Sequence, residues 1–337
     1  MLTRNRWGCF AVVLVAALSI SLILNFVLLF FRGGDLAPGE PPKLSEEIVV
    51  AGTKKGFPAE EKIAQISLRG IIANSELGGG GESMVDDIKA QLKQAVRDPK
   101  VKGIVLYIDS PGGEVTASDI IYQEVKAARA AKPVVVFMGS LAASGGYYVA
   151  CGGSHILANE TTLTGSIGVI MQAIKYYGLM EKVGVGVVTF KSGKFKDMLS
   201  GSRELTPEEA DYLQKMIGQT YDKFVGIVAA ERKLDEATLR NGIADGRVIS
   251  GKDALEAKLI DGVGTVEDAY AKAMQLGGVS GAQVIRYETS LRLGKLLKML
   301  AKAEPASRGK VELSVGDSLQ SKIEPGRLYY LPGFLLR

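Results

Sequence analysis

Residues 134–150 read VVVFMGSLAASGGYYVA. The opening VVVFM, bounded by Pro133 and Gly139, is short, apolar and rich in β-branched residues. That pattern suits a strand buried on both faces, as in a parallel sheet. Small residues follow, broken only by Leu141, up to Ser144 and the pair Gly145-Gly146. Small neighbours let a backbone or a ligand approach closely, and glycine permits turns that other residues resist. Ser144 is therefore either a nucleophile or a residue selected for tight packing.

Outward from this stretch the chain alternates. Lys62–Leu68 (KIAQISL) predicts a strand, and Met84–Val96 places Met84, Ile88, Leu92, Ala95 and Val96 on one helical face. Lys102–Asp109 predicts a strand, Val115–Arg129 a helix, and Val185–Phe190 a further strand. Thr206-Pro207-Glu208-Glu209 carries an N-cap, a proline at the first position and an acid three residues on. It opens a long helix expected to reach Arg232. The alternation predicts an α/β fold with parallel pairing. The run Gly78–Gly81 lacks a following GK[ST], so it reads as a flexible loop rather than a phosphate loop.

The chain has 337 residues, 47% of them hydrophobic, enough for one or two domains. Gly8–Phe31 is a run of 24 residues without a charge. As a helix it would measure about 36 Å, enough to cross a bilayer. It is longer than the apolar core of a signal peptide and ends at no small-x-small site. Cys9 stands at its start rather than after it, which argues against lipoprotein processing. The reading is an uncleaved membrane anchor at 8–31 behind a short cytoplasmic segment, 1–7. Arg4 and Arg6 before the span, against Arg32 after it, favour a cytoplasmic N-terminus in the cell membrane with the bulk of the chain outside. Residues 32–60 read as a linker, 61–302 as the main domain and 303–337 as a C-terminal tail. The tail ends in the apolar LYYLPGFLLR, expected to dock on the body.

A net charge of +4 and the lack of a basic run interleaved with aromatics argue against a nucleic-acid partner. Cys9 and Cys151, in the span and the body, form no disulfide framework. One histidine, two cysteines and no ligand spacing give no expectation of a metal or another cofactor.

Three glycine-bearing segments fall at predicted strand ends: IDSPGGEV (108–115), GSLAASGG (139–146) and LTGSIGV (163–169). Sites in α/β sheets gather there. Ser144, between a strand and a helix, has its hydroxyl at a helix N-terminus. The N–H groups of Gly145 and Gly113 are candidates for an oxyanion hole. A serine nucleophile needs a base, and the sole histidine, His155, lies eleven residues beyond Ser144. Helix geometry puts it out of reach, so it reads as structural. The other base is a lysine whose ammonium is disfavoured by desolvation. KSGKFKDM (191–198) offers Lys191, Lys194 and Lys196, and spacing does not choose among them. Ser166 is either a partner that orients the amine or a turn serine.

DSPGGEV, MGSLAASGGYYVA, LTGSIGVI, KSGKFKDM and ADGRVISGKDALEAKLID together resemble the signal peptide peptidase SppA family of membrane-anchored serine–lysine proteases, over about residues 60–290. The resemblance implies a Clp-protease/crotonase-like spiral of ββα units, in the short form with one protease domain. It implies Ser144 as nucleophile, Lys196 as general base, Gly113 and Gly145 as the oxyanion hole and Ser166 as the serine contacting the lysine. It further implies peptide substrates such as cleaved signal peptides, and a homo-oligomeric ring. Two rival readings are a crotonase-like acyl-CoA enzyme, which would need no lysine, and a non-catalytic membrane-anchored scaffold.

Overall fold

The structure, a computed structural model, describes residues 14–15, 17–22, 24–25, 44–54, 57–74, 83–288 and 328–332. At its centre is a mixed sheet of nine strands. Its parallel spine runs β12 (Gln283–Glu288), β4 (Lys62–Arg69), β5 (Val101–Ser110), β7 (Val134–Ala143), β8 (His155–Ala158) and β11 (Gly262–Val263). Strand β9 (Leu163–Gly165) joins the far end of β7 in parallel, and β10 (Val248–Ser250) pairs antiparallel with β9.

Crossover helices α1 (Met84–Arg97), α2 (Val115–Ala131) and the short α3 (Gly145–Ala150) follow β4, β6 (Gly113–Glu114) and β7. Helix α1 forms where the sequence places it: the Ser83 side chain accepts from the Asp86 amide at the N-cap, and Val85, Ile88, Leu92 and Ala95 are buried. With α5 (Pro207–Arg232), these helices cover one sheet face, and α8 (Val266–Leu276) covers the other. Ile104, Val105, Leu106 and Val134–Val136 are buried as a result. Burial on both faces is why these strands read as continuous apolar runs. The remaining helices are α4 (Tyr177–Lys182), α6 (Glu236–Arg240) and α7 (Gly251–Glu256).

Helix α5 begins at the expected cap. The Thr206 hydroxyl accepts from the Glu209 amide while the Glu209 carboxylate accepts from the Thr206 amide.

Two sequence expectations need correction. Ser45–Val50, assigned to the linker, forms β1, an edge strand antiparallel to β12. Its alternation is too short to stand out among the charged and proline-rich residues before it. Val185–Phe190 forms no strand; it is extended, exposed and without a ladder partner. Alternating valines satisfy strand propensity, but a strand exists only where another edge is available to pair with it. The expected span 8–31 lies largely outside the described residues. Those described within it, such as Leu14, Val15 and Leu22, are helical and exposed. Among the described residues, no helix is long and apolar enough to cross a membrane.

Candidate active site

Strands β5 and β7 deliver their small residues to one end of the sheet. After β5, Ser110-Pro111-Gly112 turns the chain, with the Gly112 amide donating to the Ser110 hydroxyl at 3.0 Å. Gly112 has φ +102°, a conformation that side chains resist. Gly113 then runs beside Ile72: the Ile72 amide donates to Gly112 O and the Glu114 amide to Ile72 O, each at 2.8 Å. A Cβ on Gly113 would stand 1.9 Å from Ile72 O, so no side chain fits.

Ser144 ends β7 with φ 52° and ψ −113°, strained for a non-glycine residue. Its amide donates to Gly165 O and its carbonyl accepts from the Tyr148 amide, both at 2.8 Å. Close packing explains the glycines that follow. A Cβ on Gly145 would lie 2.6 Å from Ser118 Oγ and 3.1 Å from Gly113 N, and one on Gly146 would lie 2.9 Å from Ser110 O. The structure thus brings Ser144, Gly145 and Gly113 together. Ser166, also at positive φ and buried, is one residue beyond Gly165, the β9 partner of Ala143. The Ser144 side chain is fully buried, and among the described residues its Oγ has no hydrogen-bond partner.

Against this corner lies a strand from the far end of the chain. β13 (Tyr329–Tyr330) pairs antiparallel with β6, Tyr330 opposite Gly113 and Tyr329 opposite Glu114. On its other side Tyr329 bridges Ile170, with 3.0 Å hydrogen bonds in both directions. The docking expected of the tail is therefore specific: it completes a strand between two edges. The Val115 amide donates to Leu328 O at 3.3 Å. Stepping two residues along an antiparallel ladder preserves the pair type, so the Gly113 N–H faces the Tyr330 carbonyl. That oxygen lies 2.0 Å from the point where a Cβ on Gly112 would be, and Gly145 N lies 2.6 Å from the same point. A peptide carbonyl is thus held against the Gly113 N–H, in the corner where Gly145 N also lies.

The Tyr330 side chain fills an aromatic pocket. It stacks on Tyr148 with centroids 5.0 Å apart, lies 4.7 Å from Phe224, and donates to Thr220 O at 3.4 Å. Burial pushes the Tyr330 phenol well above its usual range. The Tyr148 phenol, raised by burial and then by its 2.6 Å bond to Asp119, stays neutral as well. Sequence reading missed Gly112, Tyr148, Thr220, Phe224 and Ile170. Of these only Tyr148 left a trace: in SGGYYVA it falls one helical turn after Ser144.

The lysines lie on a different kind of structure. Residues 171–200 leave the sheet as an arm, with Ile174, Leu179, Val183, Val187 and Val188 exposed and Phe190 at 95% exposure. Lys191 is tied to Asp197 at 2.7 Å, and Lys194 pairs with Glu208. Lys196 is exposed, and among the described residues its amine has no hydrogen bond or ion pair. Among the described residues, no amine reaches Ser144 Oγ.

His155 opens β8 opposite Val135, at the other end of β7 from Ser144. Nine strand residues span roughly 30 Å, so it serves elsewhere. Its Nδ1 is 3.8 Å from Asp261, and burial lowers its pKa. No group of three or more His, Cys, Asp or Glu side chains among the described residues is placed to hold a metal ion.

Known proteins resemble this chain over the segments that build the corner. A profile of peptidase family S49 matches residues 126–280, and one of Clp protease matches residues 66–184, consistent with the Clp-protease-like α/β fold. A protease of Methanocaldococcus jannaschii is 45% identical over 61% of this chain and 63% of its own length, so the match spans just under two thirds of that relative. A signal peptide peptidase SppA of Enterococcus faecium is 34% identical over 86% of both chains. Protease 4 of Salmonella typhi is 40% identical over 64% of this chain but only 34% of its own.

Proposed function

The chain belongs to peptidase family S49 and is a serine peptidase, and from that premise we propose a Ser144/Lys196 dyad that cuts apolar, extended peptides at the membrane. One observation carries the reading. The chain's own Tyr330 carbonyl faces the Gly113 N–H in the corner where Gly145 N also lies, and among the described residues the buried Ser144 oxygen has no hydrogen-bond partner.

In the proposed reaction neutral Lys196 takes the Ser144 proton as Oγ bonds to the carbonyl carbon. The two N–H groups hold the oxyanion that forms. Collapse breaks the C–N bond, and the lysine passes its proton to the departing amine. Water then attacks the acyl-serine, giving one proton back through the lysine to Oγ. Ser166 orients the amine. The substrate enters as β13 does, adding a strand between Gly113 and Ile170, which selects extended peptides. Apolar, unstructured segments such as cleaved signal peptides satisfy that requirement. The uncharged run 8–31 as an anchor would hold the enzyme beside them.

Lys196 comes from a second copy. Ser144 Oγ is unpartnered while Lys196 stands in solvent, and the arm bearing it exposes more apolar surface than an isolated segment keeps in water. A neighbouring copy covering the arm would desolvate the amine and close the ring.

The test is a peptide-cleavage assay on purified full chain. Ser144→Ala and Lys196→Ala should each lower kcat by about 10⁴-fold or more, and mixing the two inactive variants should restore part of the activity. Substantial activity in either single variant would refute the dyad. Two inactive variants that fail to complement would refute donation between copies. By mass, wild type should lose Leu331–Arg337 and Ser144→Ala should keep it.

A further inference from the structure

Lys196 has no packing of its own to fix it. It sits in a turn whose local bonds are Lys196 N to Gly193 O at 3.1 Å and Ser200 N to Asp197 O at 2.9 Å. Beneath the segment is a cavity of about 200 Å³, lined by Met171, Ala173, Leu199, Leu205 and Leu213 among others, so apolar contact there is incomplete. Yet a general base must be held to within a fraction of an ångström.

Besides the Phe195 ring stacked on Tyr212 at 5.2 Å and the Lys194–Glu208 pair, it is Arg203 that grips the turn. Its Nε donates to Asp197 Oδ2 at 2.9 Å and one Nη to Asp197 Oδ1 at 2.7 Å. The same guanidinium reaches Glu209 Oε2 at 2.9 Å and Oε1 at 2.5 Å, and the Glu204 carbonyl at 2.8 Å. Two bidentate forks on one planar cation fix both distance and angle. Glu209 is buried and belongs to the capping box of α5, whose Phe224, Val225 and Val228 are fully buried in the core. Hydrogen bonds from Arg203 and then Lys191 hold the Asp197 carboxyl well below the usual range, so it remains an anion at working pH. A rigid line therefore runs from the core through α5, Glu209 and Arg203 to Asp197, the residue after Lys196.

We propose that Arg203 is the positioning residue for the catalytic lysine: it clamps the Lys196 turn to the N-terminus of α5 and sets where the amine is presented to Ser144. This rests on Lys196 being the base. It also gives a role to the aspartate of FKD, to which the sequence assigned none.

The experiment uses the full chain in the peptide assay, with thermal unfolding and assembly mass measured on each variant. Arg203→Gln should lower kcat by about 10- to 100-fold with KM within about twofold, because the hydrogen bonds of Arg203 go to Asp197, Glu204 and Glu209 and not to Gly113, Gly145 or Ile170. Unfolding temperature and assembly mass should hold. Arg203→Lys, which keeps the charge but loses the fork, should recover only part of the rate, and Asp197→Asn should resemble Arg203→Gln. A wild-type kcat in Arg203→Gln overturns the proposal. So does a loss of rate matched by loss of assembly or of folding, which would make the fork structural. Lys196→Ala, run in parallel, separates the two ideas: an active Lys196→Ala removes the base assignment itself, whereas an inactive one beside a fully active Arg203→Gln removes only the clamp.

Discussion

Around Ser144 the chain is fixed by backbone in close contact: four glycines with no room for a Cβ, a strained φ, and neighbours drawn from four strands. Around Lys196 it is fixed by charge. Arg203 holds Asp197, Glu208 holds Lys194, and beyond the Phe195 ring stacked on Tyr212 the arm's Val187, Val188 and Phe190 point into solvent. The difference teaches that one half of the proposed chemistry is finished by folding, while the other half needs something further to be covered. An oxyanion site works through fixed dipoles and gains from being immobile before the substrate arrives. An amine that must be dry to be neutral can wait in water until a second surface encloses it.

Three perturbations would sharpen or break that contrast. Gly112→Ala has the largest expected effect. Its Cβ would enter the space of the Tyr330 carbonyl, 2.0 Å away, at a backbone angle of φ +102°. The expected loss is about 10²- to 10³-fold in kcat/KM, measured on peptide cleavage; a near-normal rate would show that the corner is not rigid. Next is Phe190→Asp on the arm. If a second copy covers this segment, the charge should reduce the assembly mass in sedimentation and lower activity by about 10-fold or more, while the unfolding temperature of the separated chain stays the same. Unchanged mass and activity would leave the arm's apolar surface without the proposed role.

Smallest is Glu231→Gln, at the opposite end of α5 from Glu209. Burial favours the neutral acid at Glu231. Hydrogen bonds from Arg129, Lys126 and Tyr122 outweigh it and bring the pKa down to about 2. A carboxyl depressed in the folded state stabilises above its ordinary pKa, 4.5, and the contribution disappears as pH falls towards 2. The substitution should therefore cost about 1–3 kcal/mol at neutral pH with kcat unchanged. The gap to wild type in denaturant melts should close between pH 4.5 and 2. Glu231 would then act on stability alone and Arg203 on rate alone, at two ends of one helix.

Much of the fold is legible in local pattern. The helix at 84–96, the strand at 102–109 and the cap at Thr206 each form within a residue or two of their expected limits, because periodicity and capping act over one or two turns. Val185–Phe190 fails for the complementary reason: its pattern is local, but a strand needs an edge, and none faces it. Ser45–Val50 gains a strand because β12, from the other end of the domain, supplies that edge.

The site divides along the same line. By itself the sequence determined that small residues would gather at the strand ends, that Ser144 would follow a buried strand, and that the lone histidine could not serve it. Each of these depends on spacing within one short segment. Tertiary structure alone decided that Gly113 and Gly145 meet in one corner, that the chain's own tail sets a carbonyl there, and which of three neighbouring lysines is left unpaired among the described residues. These depend on which distant surfaces meet, and a hydrogen bond or an ion pair is set by a few tenths of an ångström between residues that the sequence keeps far apart.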